Sequence, residues 1–451
     1  MDEKHVELLR SLGIKDIDKK NAKDSAYWID RANSHQAIAT QNRDVYNVID
    51  HTRGDGIVCY DLEGNEYLDL ASGVAVRAFG MRYKPFLEFE SSVLDTVHEI
   101  MSNNWDSIPQ VGLAERLMEL TPGDFDKQTS LTTSGARAIE NCMKSAMDKT
   151  GRRRFVAFRP AFHGRTGYAL ALTASNAKHK AGFPQGVDVT RVFYPYCYRC
   201  PYGQNVEDCS VECAEALREA IRVEGDDIAA TVFESISAEG GFYVPPAKAV
   251  KALYDVTKET GGYFVSDEVQ AGMGRTGKWW AIENYDVVPD YIAVGKAFGG
   301  GYPMGAAVGP RPLFSGTSRH SETFGAEPKM ALTSLWVLKH MEDEGFLKKN
   351  AEKGAYMIER LNELKDKHEV IGDVRGIGLM AGVEFVNDKK SKVRNPELRN
   401  EVVKTTVRKY NLWTLAAGHN VIRWLPSYVI TKDQIDEAID RFDKSIADCM
   451  K

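Results

Sequence analysis

The chain has 451 residues, 43% hydrophobic and 27% charged, with a formal net charge of −6 and a pI of about 6.0. It carries no basic stripe or long like-charged block, which argues against a nucleic-acid or membrane surface, and its length suffices for a large core in more than one unit. The N-terminus MDEKHVELLRSLGIKD lacks an apolar signal region, and seven cysteines are an odd number for a secreted disulfide scaffold, so the expected location is the cytoplasm.

DGIVCYDLEGNEYLDLASG (55–73) alternates apolar and polar residues around a Glu-Gly-Asn turn and predicts a hairpin. SLTT (130–133) runs through Ser134 and Gly135 into a helix. There Ala136, Ile139, Met143 and Met147 recur at helical spacing and Gly151 follows. RFVAF (154–158) and TVFESI (231–236) read as strands. Between them, PYCYRCPYGQNVEDCSVECAE places Cys197, Cys200, Cys209 and Cys213 in C-x2-C and C-x3-C pairs. Three outcomes fit that spacing: a tetrahedral thiolate site for a metal such as zinc, disulfides, or free thiols in a loop. PPAKAVKALYDVTKETGG (245–262) predicts a helix with proline at its start and glycines after its end. GYFVSDEV and YIAVGK (291–296) are strands. After about residue 335 one long amphipathic helix is expected (WVLKHMEDEGFLKKN onward), then strands in VRGIGLMAGVEF and NVIRWLP, and a final helix.

Strands alternating with helices predict an α/β fold with a mostly parallel sheet and a ligand site beyond the carboxyl ends of its strands. The expected organisation is the N-terminal part of a small domain over residues 1–75 and a large α/β domain over 76–334 with the cysteine-rich insert at 195–214. Residues 335–451 complete the small α+β domain, which is thus built from both termini.

Three strands end in ionisable residues: Glu234, Asp267 and Lys296. Lys296, in AVGKAFGGGYPMG, precedes three glycines. A phosphate-binding P-loop needs a hydroxyl residue directly after its lysine, and here Ala297 follows. A lysine that bonds to a carbonyl cofactor fits better, provided its amine can lose a proton from an ordinary pKa of about 10.4. Pyridoxal phosphate, as that cofactor, needs a carboxylate at its ring nitrogen, side chains against both ring faces, and helix N-terminal amides at its phosphate. Asp267 offers the carboxylate. Val269 and Phe162 offer the two faces, and Gln270 a partner for the phenolic oxygen. Ser134, Gly135 and Ala136 offer the phosphate cradle. Gly299, Gly300 and Gly301 are expected to let the backbone pass close to the flat cofactor.

On these residues the chain resembles the class III pyridoxal-phosphate aminotransferases. The likeness is to the 4-aminobutyrate and ornithine aminotransferase subgroup and its archaeal members with a cysteine-rich insert. The likeness runs from about Asp55 to the C-terminal helix. It is strongest in VSDEVQAGMGRTGKWWAIENYDVVPDYIAVGKAFGGGYPMGA, with TSGARAIE, AFHGRT and ETFGAEP in support. It implies fold type I, with a mostly parallel seven-stranded sheet in the large domain, and a homodimer or larger assembly with shared active sites. Lys296 would be the Schiff-base lysine and the proton carrier between the substrate α-carbon and the cofactor. Thr323 would reach the phosphate of the neighbouring subunit's cofactor. Arg423 would bind an α-carboxylate, Glu239 would mask it for ω-amines, Arg165 would hold a distal carboxylate, and Val74 would line the substrate space.

The implied reaction moves an amino group from a 4-aminobutyrate- or ornithine-like donor to a 2-oxo acid such as 2-oxoglutarate, through a Lys296 aldimine and a quinonoid. A racemase or epimerase on the same scaffold shares that quinonoid and needs a second acid on the opposite face. The chain departs from the subgroup's pattern at SGARA, where Arg137 replaces an acid, at ESISAEG, and at Glu327 in GAEP. None of these touches Lys296 or Asp267, and they leave the substrate open.

Overall fold

The structure, a computed structural model, describes residues 3–14, 17–18, 20–37, 43–94, 105–325 and 327–451. The predicted N-terminal hairpin is formed by β1 (Val58–Tyr60) and β2 (Glu66–Asp69), antiparallel across a turn in which Gly64 has φ 92°. Seven strands follow: β3 (Lys127–Thr132), β4 (Arg154–Arg159), β5 (Asp188–Phe193), β6 (Ile228–Glu234), β7 (Tyr263–Asp267), β8 (Tyr291–Val294) and β9 (Gly305–Pro310). They form one sheet in the order β3-β9-β8-β7-β6-β4-β5. Only β9 runs against its neighbours; the β8-β7-β6-β4-β5 pairs are all parallel. β6 is buried at all seven positions, as a strand covered on both faces must be. One face packs Ala230 and Val232 with Ile139 and Met143 of the helix Gly135–Thr150; the other carries Phe158, Phe233 and Phe264.

That helix begins where Ser134 accepts from the Arg137 amide and ends at Gly151, whose φ of 70° suits glycine. The helix expected after residue 335 is two, Pro328–Asp343 and Phe346–Lys367. The apolar period continues across the break, but Gly345 at φ 61° turns the chain between them. The remaining strands are β10 (Ile371–Gly376), β11 (Ala381–Phe385), β12 (Leu412–Trp413), β13 (Leu415–Ala417) and β14 (Val421–Trp424). β10-β11-β14-β13 make an antiparallel sheet, and β12 pairs with β2, joining the N-terminal hairpin to the C-terminal region.

Candidate active site

The parallel register decides where the chemistry gathers. Glu234, the last residue of β6, is directly paired with Asp267, the last of β7, and Asp267 with Ala293 of β8, three residues before Lys296. A cavity of about 360 Å3 lies at these carboxyl ends. Ser134, Gly135, Ala136, Phe162, Arg165, Glu239, Asp267, Val269, Gln270 and Lys296, all singled out from the sequence, line it together.

Lys296 leaves β8 with φ 51°, a left-handed conformation that a lysine adopts only when its surroundings impose it. Burial pushes its amine down to about pKa 8, and Arg423 pushes the same way, against the pull of Glu239, Asp267 and Glu234. A lysine so placed is a far better nucleophile and proton acceptor at neutral pH than an exposed one.

Asp267 accepts from the Val269 amide at 3.0 Å through one oxygen and meets His163 Nδ1 at 2.7 Å through the other. Burial works against the His163 cation, but Asp267, with Glu234 behind it, outweighs burial and raises its pKa above the ordinary value. Glu234 accepts from the Phe162 and Ala238 amides at 2.9 and 3.2 Å, and burial raises its pKa. AFHGRT by itself assigns His163 no role. Its contact with Asp267 spans 104 positions, and nothing local in the sequence announces it.

The cradle side is equally close-packed. A Cβ on Gly135 would lie 2.4 Å from Val269 Cγ1, and one on Gly295 would lie 3.1 Å from Gly135 Cα. Here glycine is needed so that helix start, strand end and Val269 can meet. The expectation for Gly299, Gly300 and Gly301 is corrected: none lines the cavity. Gly300, at φ 61°, turns the chain beneath Val337 and Phe86, and Gly299 packs against Met304. The first-turn amides of Gly135 and Ala136 have no acceptor within their helix.

Arg423, on β14, and Glu239 form an ion pair at the edge of this cavity. Burial opposes the Glu239 anion, but Arg423 first, then Lys296 and a hydrogen bond from Gln270, keep its pKa below the ordinary carboxylate value. Arg165 is exposed at the rim, its guanidinium 5.1 Å from the Phe162 ring centre, and has no ion-pair partner among the described residues. Thr323 is exposed and does not line the cavity of its own chain. Its neighbour Glu322 anchors that loop beside β3 by accepting from the hydroxyls of Thr132 and Thr133, another role not read from the sequence. Val74, with φ 62°, lines a second, larger cavity of about 690 Å3 with Tyr46, Trp413 and Leu415, and its turn, Ser72–Ala75, packs against the segment Lys296–Gly299.

Cys197, Cys200, Cys209 and Cys213 surround one small cavity of about 20 Å3 and are unbridged. Among the described residues no three histidine, cysteine or acidic side chains are arranged to hold a metal ion.

The main cavity fits pyridoxal phosphate on its own terms. It combines a desolvated lysine, a carboxylate fixed by two donors, a tight glycine cradle at a helix start, and the buried Gln270 Oε1 and His163 Nε2 without partners. Comparison with known proteins agrees. The family profile Aminotransferase class-III matches residues 39–446. The chain belongs to the class-III aminotransferase family. It is a pyridoxal-phosphate-dependent enzyme of fold type I. It is 33% identical over 395 residues to a leucine/methionine racemase of Thermococcus litoralis, covering 86% of this chain and 88% of that one. It is also 33% identical over 409 residues to a 4-aminobutyrate aminotransferase of Mycobacterium leprae, covering 88% and 90%. A thermostable (S)-enantioselective ω-transaminase of Thermomicrobium roseum superimposes with a TM-score of 0.87 at 26% identity, covering 95% of this chain and 99% of that one. Among the described residues no helix is long and apolar enough to cross a membrane.

Proposed function

We propose that this enzyme is a cytoplasmic, homodimeric aminotransferase that takes an amino group from a 4-aminobutyrate- or ornithine-like donor and passes it to a 2-oxo acid such as 2-oxoglutarate. The observation that carries this is the Glu239–Arg423 ion pair beside Lys296. A transaminase works on two substrates in turn at one site. One has an α-carboxylate beside the reacting carbon; an ω-amine does not. A fixed, bare arginine would be left buried and unpaired in the ω-amine half-reaction, at substantial cost. An acid that pairs with it and can be displaced by a carboxylate removes that cost.

Bound pyridoxal phosphate supplies the electron sink that makes a substrate C–H bond acidic. Asp267, steadied by His163 and the Val269 amide, would hold the ring nitrogen in its protonated form. Val269 and Phe162 would lie against the ring, Gln270 beside its phenolic oxygen, and the amides of Gly135 and Ala136 at the phosphate, behind the Ser134 cap. Thr323 would serve the neighbouring subunit's phosphate. Lys296, far more often neutral at pH 7 than an ordinary lysine, would take the proton from the substrate α-carbon and return it to the other end of the exchanging system. Arg165 would hold a distal carboxylate at the rim.

A second reading, racemisation of an apolar α-amino acid, is supported by the likeness to the Thermococcus litoralis enzyme. One experiment separates the two. The purified enzyme is incubated with D- and L-amino acids and ω-amines, with and without 2-oxoglutarate. Glutamate formed from an ω-amine only when 2-oxoglutarate is present is the expected result. Inversion of an α-amino acid without any acceptor overturns the aminotransferase.

A further inference from the structure

Glu239 sits in a single short turn, Ala238–Gly241, and what holds that turn comes largely from the small sheet. Arg375, on β10, reaches across and donates to the Gly241 carbonyl through Nη2 at 2.6 Å and to the Phe242 carbonyl through Nε at 3.1 Å. The turn needs such a hold. Gly241 has φ 135° and Phe242 φ 57°, the latter a left-handed conformation disfavoured for phenylalanine. The Gly418 amide adds a bond to the Glu239 carbonyl at 3.0 Å.

Arg375 is itself locked. Its Nη1 donates to Asp373 at 2.7 Å and to Glu384 at 2.9 Å, and its guanidinium lies 4.8 and 4.9 Å from the ring centres of Tyr196 and Tyr243. Glu384 is 1% exposed and also accepts from the Tyr196 hydroxyl and from Arg199 Nε at 2.7 Å. Nε, Nη1 and Nη2 of Arg375 all donate to fixed acceptors while the guanidinium lies over two rings, a geometry a lysine cannot reproduce.

We propose that Arg375 is the positioning residue for the Glu239–Arg423 gate: through the Gly241 and Phe242 carbonyls it sets how readily Glu239 stays on Arg423 or yields to a substrate carboxylate. Tyr196 and Glu384 act through Arg375. The proposal rests on the gating role given to Glu239 above.

The test compares steady-state kinetics of the holoenzyme with an α-carboxylate substrate, glutamate, and with an ω-amine lacking one. Glu239→Gln weakens the mask and raises the ratio of kcat/KM for glutamate to that for the amine. Arg375→Lys is expected to raise the same ratio about fivefold through KM, with kcat held within about twofold, and to add nothing in the Glu239→Gln background. Tyr196→Phe keeps the ring and removes one hydroxyl from Glu384. It is expected to move the ratio about twofold in the same direction, and it stands in if Arg375→Lys does not fold. Equal loss of both half-reactions, or an Arg375→Lys effect that adds fully to that of Glu239→Gln, overturns the proposal, as does an unmoved ratio in Tyr196→Phe. If Glu239→Gln alone moves nothing, the gate itself is refuted and the role of Arg375 falls with it.

Discussion

Acylation of Lys296 in the cofactor-free protein measures the one property on which its chemistry depends. Only the neutral amine reacts. With its pKa pushed down to about 8, about a tenth of Lys296 is neutral at pH 7. An ordinary lysine near 10.5 is neutral there in only about 0.03% of molecules, so the shift is worth about 300-fold in reactive amine. Labelling with a small acylating reagent from pH 6 to 10, read by mass spectrometry of the Lys296 peptide, should rise with its midpoint near pH 8 and level off above about pH 9. Surface lysines in the same sample should still be rising at pH 10. The causes of the shift fix the direction of two variants. Glu239→Gln removes an anion that raises the pKa, so the midpoint falls; Arg423→Met removes a cation that lowers it, so the midpoint climbs. The linkage has a definite sign. The folded-state pKa lies below the unfolded one, so between about pH 8 and 10.5 the unfolded chain holds more protons and stability rises with pH. A Lys296 curve that tracks the surface lysines up to pH 10 would refute the reasoning.

Other substitutions probe the remaining walls of the site. Gly135→Ala places a methyl group 2.4 Å from Val269 Cγ1, which should cost about 1–3 kcal/mol and weaken pyridoxal phosphate binding about tenfold or more in an absorbance titration; unchanged affinity would mean that the cradle yields. His163→Phe removes a charge-assisted partner from Asp267 and should raise the cofactor Kd about tenfold, whereas an unaltered Kd would show that Asp267 needs no such support. Thiol titration of the denatured, unreduced protein should count seven thiols, and a count of five would reveal a disulfide.

What could be read from the sequence is what lies close together along it. Asp267, Val269 and Gln270 form one short segment after one strand, and Lys296 follows the next strand. The alternation of strands and helices was enough to bring their ends together. Only the family resemblance pairs Glu239 with Arg423 at the level of sequence; their contact spans 184 positions. Contacts of that kind with no family cue stayed hidden: His163 with Asp267, Glu322 with Thr132 and Thr133, and Arg375 with Gly241. In PYCYRCP the cysteine spacing is the conspicuous pattern, yet it is Tyr196 and Arg199 beside the cysteines that reach Glu384, while the thiols stand unbridged. The break at Gly345 escaped because the apolar period runs on through it. The role given to Gly299, Gly300 and Gly301 failed because a glycine's freedom can serve a turn as well as a ligand.

The charges around Lys296 also order the events at the site. Its cationic form is supported by Glu239, Asp267 and Glu234 and opposed by burial and Arg423. A protonated pyridine nitrogen seated on Asp267 would neutralise one of those three supports, so loading the cofactor should drive Lys296 further toward the neutral amine. A substrate carboxylate that draws Arg423 away from Glu239 does the opposite: it removes the nearby cation's influence and leaves Glu239 free to support a proton on the lysine. On the role proposed for Arg423 and Glu239, the exchange that recognises the carboxylate would also adjust the base. Lys296 should be a stronger proton acceptor in the half-reaction that uses an α-carboxylate than in the one that uses an ω-amine. The kcat profile with glutamate should accordingly show its acidic limb at higher pH than the profile with the amine, and Glu239→Gln should bring the two together.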